Sequence, residues 1–333
     1  MTEHQSSYRS IFKATSLFGG VQIFNIIITI IRGKAIAVLL GTSGMGLNAL
    51  FVSTLKIITE STNLGLPQSA VKNIAEANGT GDVVMINRTV AIFKRWIWLT
   101  AFLGAAVTLV FSHFISKWTF GSTEYTFSFM LLSITFIFGA LTGGIYTILR
   151  GLRKLNLLAK ANIFGSAAGL LVSLPFFYFY GEDGIVPAII AASVATYGIS
   201  LFFRKKVTID HVNLSWNETW RGGTEMAKLG IAMSLSMVFA SFSAYIVSIY
   251  VIRTGSLSDL GLYNAGQTII AGYVGMVFTA MGTDYFPRLS EVINMDSHKW
   301  QLVVNQQAEL VLLILGPILL GILLTAPYLI RIL

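Results

Sequence analysis

The stretch VQIFNIIITIIRGKAIAVLLGTSGMGLNALFVSTLKIITESTNLGLPQ, residues 21–68, decides how the rest of the chain is read. Two apolar runs flank the turn Gly41–Gly44, and each reaches the roughly 20 residues that a helix needs to cross a ~30 Å hydrocarbon layer. The pattern predicts a pair of membrane-crossing helices over 15–40 and 45–66. Seven more runs of similar length follow, near 90–112, 126–149, 161–180, 184–203, 229–252, 260–282 and 306–330. Composition agrees with the runs. Of the 333 residues, 54% are hydrophobic and 11% are charged, with a mean hydropathy of +0.72, whereas a soluble domain carries about 25% charged residues. The predicted fold is all-α, a polytopic transmembrane helix bundle.

The formal charge of +8 raises nucleic acid as a partner, but the basic residues stand singly between apolar blocks. The positive-inside bias of membrane proteins accounts for them, so membrane lipids are the expected surroundings and no nucleic acid is expected. One set of loops holds 17 of the 23 basic residues, including Arg150, Arg153, Lys154 and Arg204–Lys206. The opposite set holds only Lys117, Arg253 and Arg331. That ratio places the N-terminus in the cytoplasm. No cleavable leader is apparent, so the first span reads as an uncleaved signal anchor. The absence of cysteine excludes disulfides and cysteine–metal sites. Segment 212–226 carries Trp216 and Trp220 one turn apart, which suits either an interfacial helix on the inner leaflet or an ordinary loop. The remaining connections, 67–89 and 113–125 among them, read as loops.

Charge inside such apolar spans needs a reason. Gln22, Asn25, Thr29 and Arg32 are spaced 3, 4 and 3, which puts them on one helical face. The second span repeats the spacing with Ser53, Lys56, Glu60 and Asn63. Lys56 and Glu60, four residues apart, can pair, while Arg32 has no such partner on its own helix. A charge at the centre of a span costs about 2.5–3.5 kcal/mol on insertion scales and by default marks a functional site. Lys34 sits about 200° around the helix from Arg32, so it either snorkels to the interface or needs a bend at Gly33 to join the same cavity. The seventh span has a milder stripe of Ser234, Ser241, Tyr245 and Ser248, and the eighth begins with Asn264 and Gln267. The candidate substrate-binding residues are therefore Arg32, Lys34, Lys56, Glu60, Asn25, Gln22, Asn63, Asn264 and Gln267. Spans 3 to 6 are more apolar.

No motif of soluble catalysis accompanies these stripes. The four histidines have no metal-ligand spacing, and neither a phosphate-binding loop nor a dinucleotide signature is present. The chain reads as a transporter without cofactor or metal rather than an enzyme. A membrane polymerase or ligase would want a large outer loop with clustered Arg, His or acidic residues. The longest outer loop holds one each of His113, Lys117 and Glu124.

A short internal repeat relates spans 1 and 2 to spans 7 and 8. Gly46-Leu47 opens the second span and Gly261-Leu262 the eighth, and Pro67 and Pro287 lie beyond their ends. On these residues, and on Arg32-Gly-Lys34 with the run to Gly41, the chain resembles bacterial O-antigen and related polysaccharide-lipid translocases. The Gly65-Leu-Pro67 ending and the block Phe286-Pro287-Arg288-Leu-Ser290 extend the resemblance. These flippases belong to the multidrug/oligosaccharidyl-lipid/polysaccharide exporter superfamily. The resemblance implies two pseudo-symmetric six-helix lobes around a cavity that opens alternately to each side. It implies translocation of an undecaprenyl-pyrophosphate-linked oligosaccharide from the inner to the outer leaflet of the bacterial cytoplasmic membrane. A polysaccharide polymerase and a chain-length regulator are the protein partners it implies. The family's basic residue in the Gly-Lys pattern corresponds to Lys34, whereas the spacing argument favours Arg32. Such proteins have at least twelve spans and nine are read here. The expected layout is an N-terminal lobe over 1–210 and a second lobe over 211–333 that is incomplete. A cation-coupled drug antiporter of the same superfamily is the alternative; it would want an unpaired acidic residue, and Glu60 has Lys56 beside it.

Overall fold

The computed structural model describes residues 3–210 and 212–267, and parts of 301–325; the side chains of 3–19, Gln22 and Ile23 are not described. Among the described residues regular structure is helical throughout. The elements are α1 (Glu3–Thr62), α2 (Leu66–Thr80), α3 (Val83–Val110), α4 (Ser112–Phe120), α5 (Thr126–Gly151), α6 (Leu155–Tyr180), α7 (Ile185–Arg204) and α8 (Trp216–Thr254). A 3-10 turn, Gly181–Gly184, joins α6 to α7. Contacts divide the chain into two compact units, Met1–Gly261 and Leu262–Leu333. Of the second unit, 262–267 is helical. The predicted span over 260–282 is described only to 267, that over 306–330 only in part, and Pro287 lies outside the described residues.

A straight α1 would be about 90 Å long, three times the hydrocarbon thickness, so it must turn back. It does so at Gly41, which leaves helical geometry with φ 70° and ψ −171°, a region that glycine enters without a Cβ penalty. Side-chain pairings give the direction of each arm. Asn25 bonds Asn162 and Ser43 bonds Glu182, so the first arm runs parallel to α6. Gly46 lies against Leu257 and Gly65 against Gly230, so the second arm runs antiparallel to α8. The far ends of α6 and α8 meet in one cluster, with Phe177 and Leu257 around Ile36, Leu40, Leu47 and Phe51. The arms therefore form a hairpin with Gly41 at its tip.

Five helical stretches are long and apolar enough to cross a membrane, over Phe24–Thr62, Val83–Val110, Thr126–Gly151, Leu155–Arg204 and Trp216–Thr254. Two of them are hairpins broken at Gly41 and at Gly181–Gly184, which reproduces the seven spans read over 15–252. A second core cluster closes the Gly65 end, with Leu66, Ile74, Phe93, Trp96, Ile148 and Met226 buried together.

Two connections differ from expectation. Residues 67–89 are not a loop: Leu66–Thr80 is a helix that buries Leu66, Ala70, Ile74 and Ala77, and Pro67 opens it rather than ending a span. Segment 212–226 is helical from Trp216 and runs without a break into the seventh span. Ser215 and Glu218 form a reciprocal capping box there, which satisfies the first free amides of the helix. The new helix is fastened to α3. The Trp96 indole N–H donates to the Thr219 carbonyl at 2.9 Å, Arg95 donates to the Leu214 carbonyl and to Thr219 Oγ1, and Arg88 pairs with Glu218 at 2.7 Å.

Candidate functional site

With Gly41 as the tip and 1.5 Å per residue, Lys34 lies about 10 Å along the first arm, Arg32 about 14 Å and Asn25 about 24 Å. On the second arm Lys56 lies about 22 Å and Glu60 about 28 Å from the tip. The predicted residues therefore form a ladder rather than one cluster. Arg32 stands at mid-depth, and the Lys56/Glu60 pair sits towards the Gly65 end, about one and a half turns (Lys56) to about two and a half turns (Glu60) away along the axis.

Arg32 is half-buried, its Nε is shut off from solvent, and that nitrogen has no hydrogen-bond partner among the described residues. A guanidinium carries five N–H donors in a planar fork suited to carboxylate or phosphate. A buried donor left without an acceptor is costly, and the Arg32 Nε is such a donor among the described residues. Lys34 is exposed on the same side of the helix as Ile27, Ile31 and Val38, in keeping with its place about 200° away from Arg32. The second arm is compensated internally, because Lys56 Nζ lies 3.9 Å from Glu60 Oε1. The other carboxylate oxygen, Glu60 Oε2, is buried without a hydrogen-bond donor among the described residues.

Several of the remaining candidates are engaged in structure. The Asn25 amide donates to Asn162 Oδ1 at 2.7 Å and its oxygen accepts from Ser166 at 3.2 Å, which clasps the first arm to α6. Asn63 Oδ1 accepts from the Gly65 amide at 2.8 Å and holds the turn into α2. Gly65 itself adopts φ 62° and packs so closely on Gly230 that a Cβ on either would collide with the other's carbonyl. Gln267 donates to the Tyr263 hydroxyl at 2.9 Å, and Asn264 also has a partner. The Gln22 side chain is outside the described set. In the seventh span the hydroxyl stripe is a packing stripe: Ser234, Ser241, Tyr245 and Ser248 are all buried, and Tyr245 meets Thr119 at 2.6 Å.

Three polar residues escaped the sequence reading. Asn162 and Ser166 sit four residues apart in the apolar α6, a spacing that marks one face and was visible in the sequence. Gln68, whose Oε1 is buried without a donor among the described residues, lay in a segment read as loop.

Comparison with known proteins adds relatives to this geometry. The family described as "Polysaccharide biosynthesis protein" matches residues 11–293. The Lipid III flippases of Escherichia coli (strain K12) and Shigella flexneri are each 20% identical over 266 residues, covering 78% of this chain. The chain spans 62% of the length of those relatives. Among solved structures, an inward-facing multidrug resistance MATE family transporter of the MOP superfamily superposes with TM-score 0.65 at 16% identity, over 93% of this chain and 71% of that one. A MOP superfamily transporter from Pyrococcus furiosus, with a binding pocket of reverse polarity, superposes with TM-score 0.63 at 17% identity, over 95% and 73%. The structural similarities establish a MATE-like all-helical fold. The named relatives are flippases and transporters, not catalysts.

Proposed function

The chain belongs to the polysaccharide biosynthesis protein family, and from that premise we propose that it moves a lipid-linked oligosaccharide across the membrane by alternating access. The substrate class is an undecaprenyl-pyrophosphate-linked repeat unit of O-antigen or a related surface polysaccharide, carried from the inner to the outer leaflet. The protein sits in the bacterial cytoplasmic membrane with its N-terminus inside, which makes the Gly41 end the outer end. A polysaccharide polymerase and a chain-length regulator, which act on the delivered units, are its proposed partners.

One observation carries this reading. Arg32 places a permanently charged guanidinium at mid-depth in an apolar span and offers buried donor capacity that no described residue uses. In a low-dielectric setting such a group attracts an anion far more strongly than in water, and a pyrophosphate matches its fork. Lys34, about half a turn nearer the Gly41 end, lies on the other side of the helix, and Lys56 is offset by Glu60, so Arg32 is the cation that supports this reading. The antiporter alternative would use the unsatisfied oxygen of Glu60, but Lys56 already offsets that charge. The test is Arg32→Ala in cells that depend on this protein. Surface polysaccharide is lost while the protein remains inserted and abundant; normal polysaccharide would refute the role of Arg32.

A further inference from the structure

The short helix α4 exposes two large aromatic rings while it buries its hydroxyls. Its buried positions carry hydroxyls, Ser112, Ser116 and Thr119, beside the half-buried Ile115 and Phe120 that pack on the core; the hydroxyls bond the Leu109 carbonyl at 2.9 Å, the Ser122 carbonyl at 2.8 Å and the Tyr245 hydroxyl at 2.6 Å. Its outward face carries Phe114 and Trp118, 61% and 52% exposed, with their rings stacked at 6.1 Å. Phe111 and Val110, at the end of α3, extend the same apolar surface. A helix standing in water would put its rings inward and its hydroxyls outward. The exposed pair Phe114 and Trp118 suits a medium less polar than water.

Two of the few cations at this end of the bundle rim the patch. Lys117 is exposed in the last turn of α4. Arg253, from the end of α8, stands over the Trp118 ring at 5.7 Å and donates to the Trp118 carbonyl at 3.0 Å. Aromatic rings flanked by Lys and Arg are the usual furniture of the boundary between headgroups and acyl chains.

We propose that α4 lies in the plane of the membrane at the Gly41 end, with Phe114 and Trp118 sunk into the phospholipid leaflet and Lys117 and Arg253 at the level of its phosphates. The occupant of the aromatic face is lipid, because the patch continues without a break into the exposed apolar side of the spanning helix α3, at Phe102, Leu109 and Val110, and because the rim is complementary to anionic headgroups. The segment read from the sequence as an outer loop is an anchor. It fixes the depth of α3 and α8 through the Thr119–Tyr245 bond and the Arg253–Trp118 bond. The inference rests on the membrane-spanning fold and does not depend on what is transported.

The chain contains no cysteine, so single cysteines carrying a nitroxide can be placed one at a time in protein reconstituted into phosphatidylethanolamine/phosphatidylglycerol vesicles. Labels at Phe114→Cys and Phe111→Cys, at exposed positions, are compared with one at Ser122→Cys in the turn beyond α4. Collisions with dissolved oxygen report the acyl region, and collisions with a water-soluble nickel chelate report the aqueous phase. The expected result is oxygen-dominated relaxation at 114 and 111, severalfold above nickel, with the ratio reversed at 122. Nickel-dominated relaxation at 114 and 111 would overturn the proposal by placing α4 in water. Protection from both reagents would overturn it by showing that protein covers the face.

Discussion

On the first arm of α1 the Nε of Arg32 has no partner among the described residues, whereas on the second arm Lys56 reaches Glu60 at 3.9 Å. Both arms carry polar residues at the same 3-4-3 spacing, and both are apolar enough to cross the membrane. The difference lies in compensation. A Lys–Glu pair one turn apart largely cancels its own field and asks little of its surroundings. A lone guanidinium keeps its field and is stabilised only by an anion from elsewhere. Polarity at bilayer depth therefore does not by itself mark a binding site, and the proposed site rests on the uncompensated group.

The arms are also held differently, and this yields the largest expected effect. The second arm packs on α8 through Gly65 and Gly230 at one end and through Gly46 and Leu257 at the other, whereas the first arm is clasped by side-chain hydrogen bonds. Gly230→Leu forces a side chain into the Gly65 carbonyl and costs about 3 kcal/mol or more, as severe overpacking does. Thermal unfolding of the purified protein, or its folded yield, should show this. Next comes the internal pair. Lys56→Ala and Glu60→Ala each strand one charge and reduce transport about two- to fivefold, the range for a partly exposed ion pair. The double variant lies closer to wild type, and additive losses would show that the two do not act together. Asn25→Ala removes two interhelical bonds at about 0.6 kcal/mol each. Its loss of thermal stability is expected to be smaller, and Asn25→Ala with Asn162→Ala should fall short of the sum. Lys34→Ala, at an exposed position, should shift stability by less than about 0.5 kcal/mol.

Much of this was legible in residues 21–68. The apolar runs and the glycine at 41 locate the hairpin, and the 3-4-3 spacing separates the self-paired charges from the unpaired one. What was missed shares a physical cause. Leu66–Thr80 has an apolar stripe too narrow for a hydropathy window, so a helix read as loop, and Pro67 was taken for a stop when proline equally opens a helix. The start of α8 was legible in Ser215-x-x-Glu218, a capping signature. Its union with the seventh span follows from the absence of any proline between 216 and 254. The exposure of Phe114 and Trp118 on α4 was hidden because patterning reports that two faces differ, not which one points inward. The engagement of Asn25 by Asn162 and Ser166 depends on which helices are neighbours, and that is a tertiary fact.

The central claim is that Arg32 is unpaired because its partner is the anionic head of the substrate. Equilibrium binding of undecaprenyl pyrophosphate to the purified protein, wild type against Arg32→Ala and Arg32→Lys, tests it most directly. The account predicts at least about a tenfold loss of affinity for Arg32→Ala, equivalent to about 1.4 kcal/mol. Arg32→Lys should recover part of it, since lysine keeps the charge and loses the fork. Equal affinity in all three proteins, at equal folded fraction, would contradict the claim.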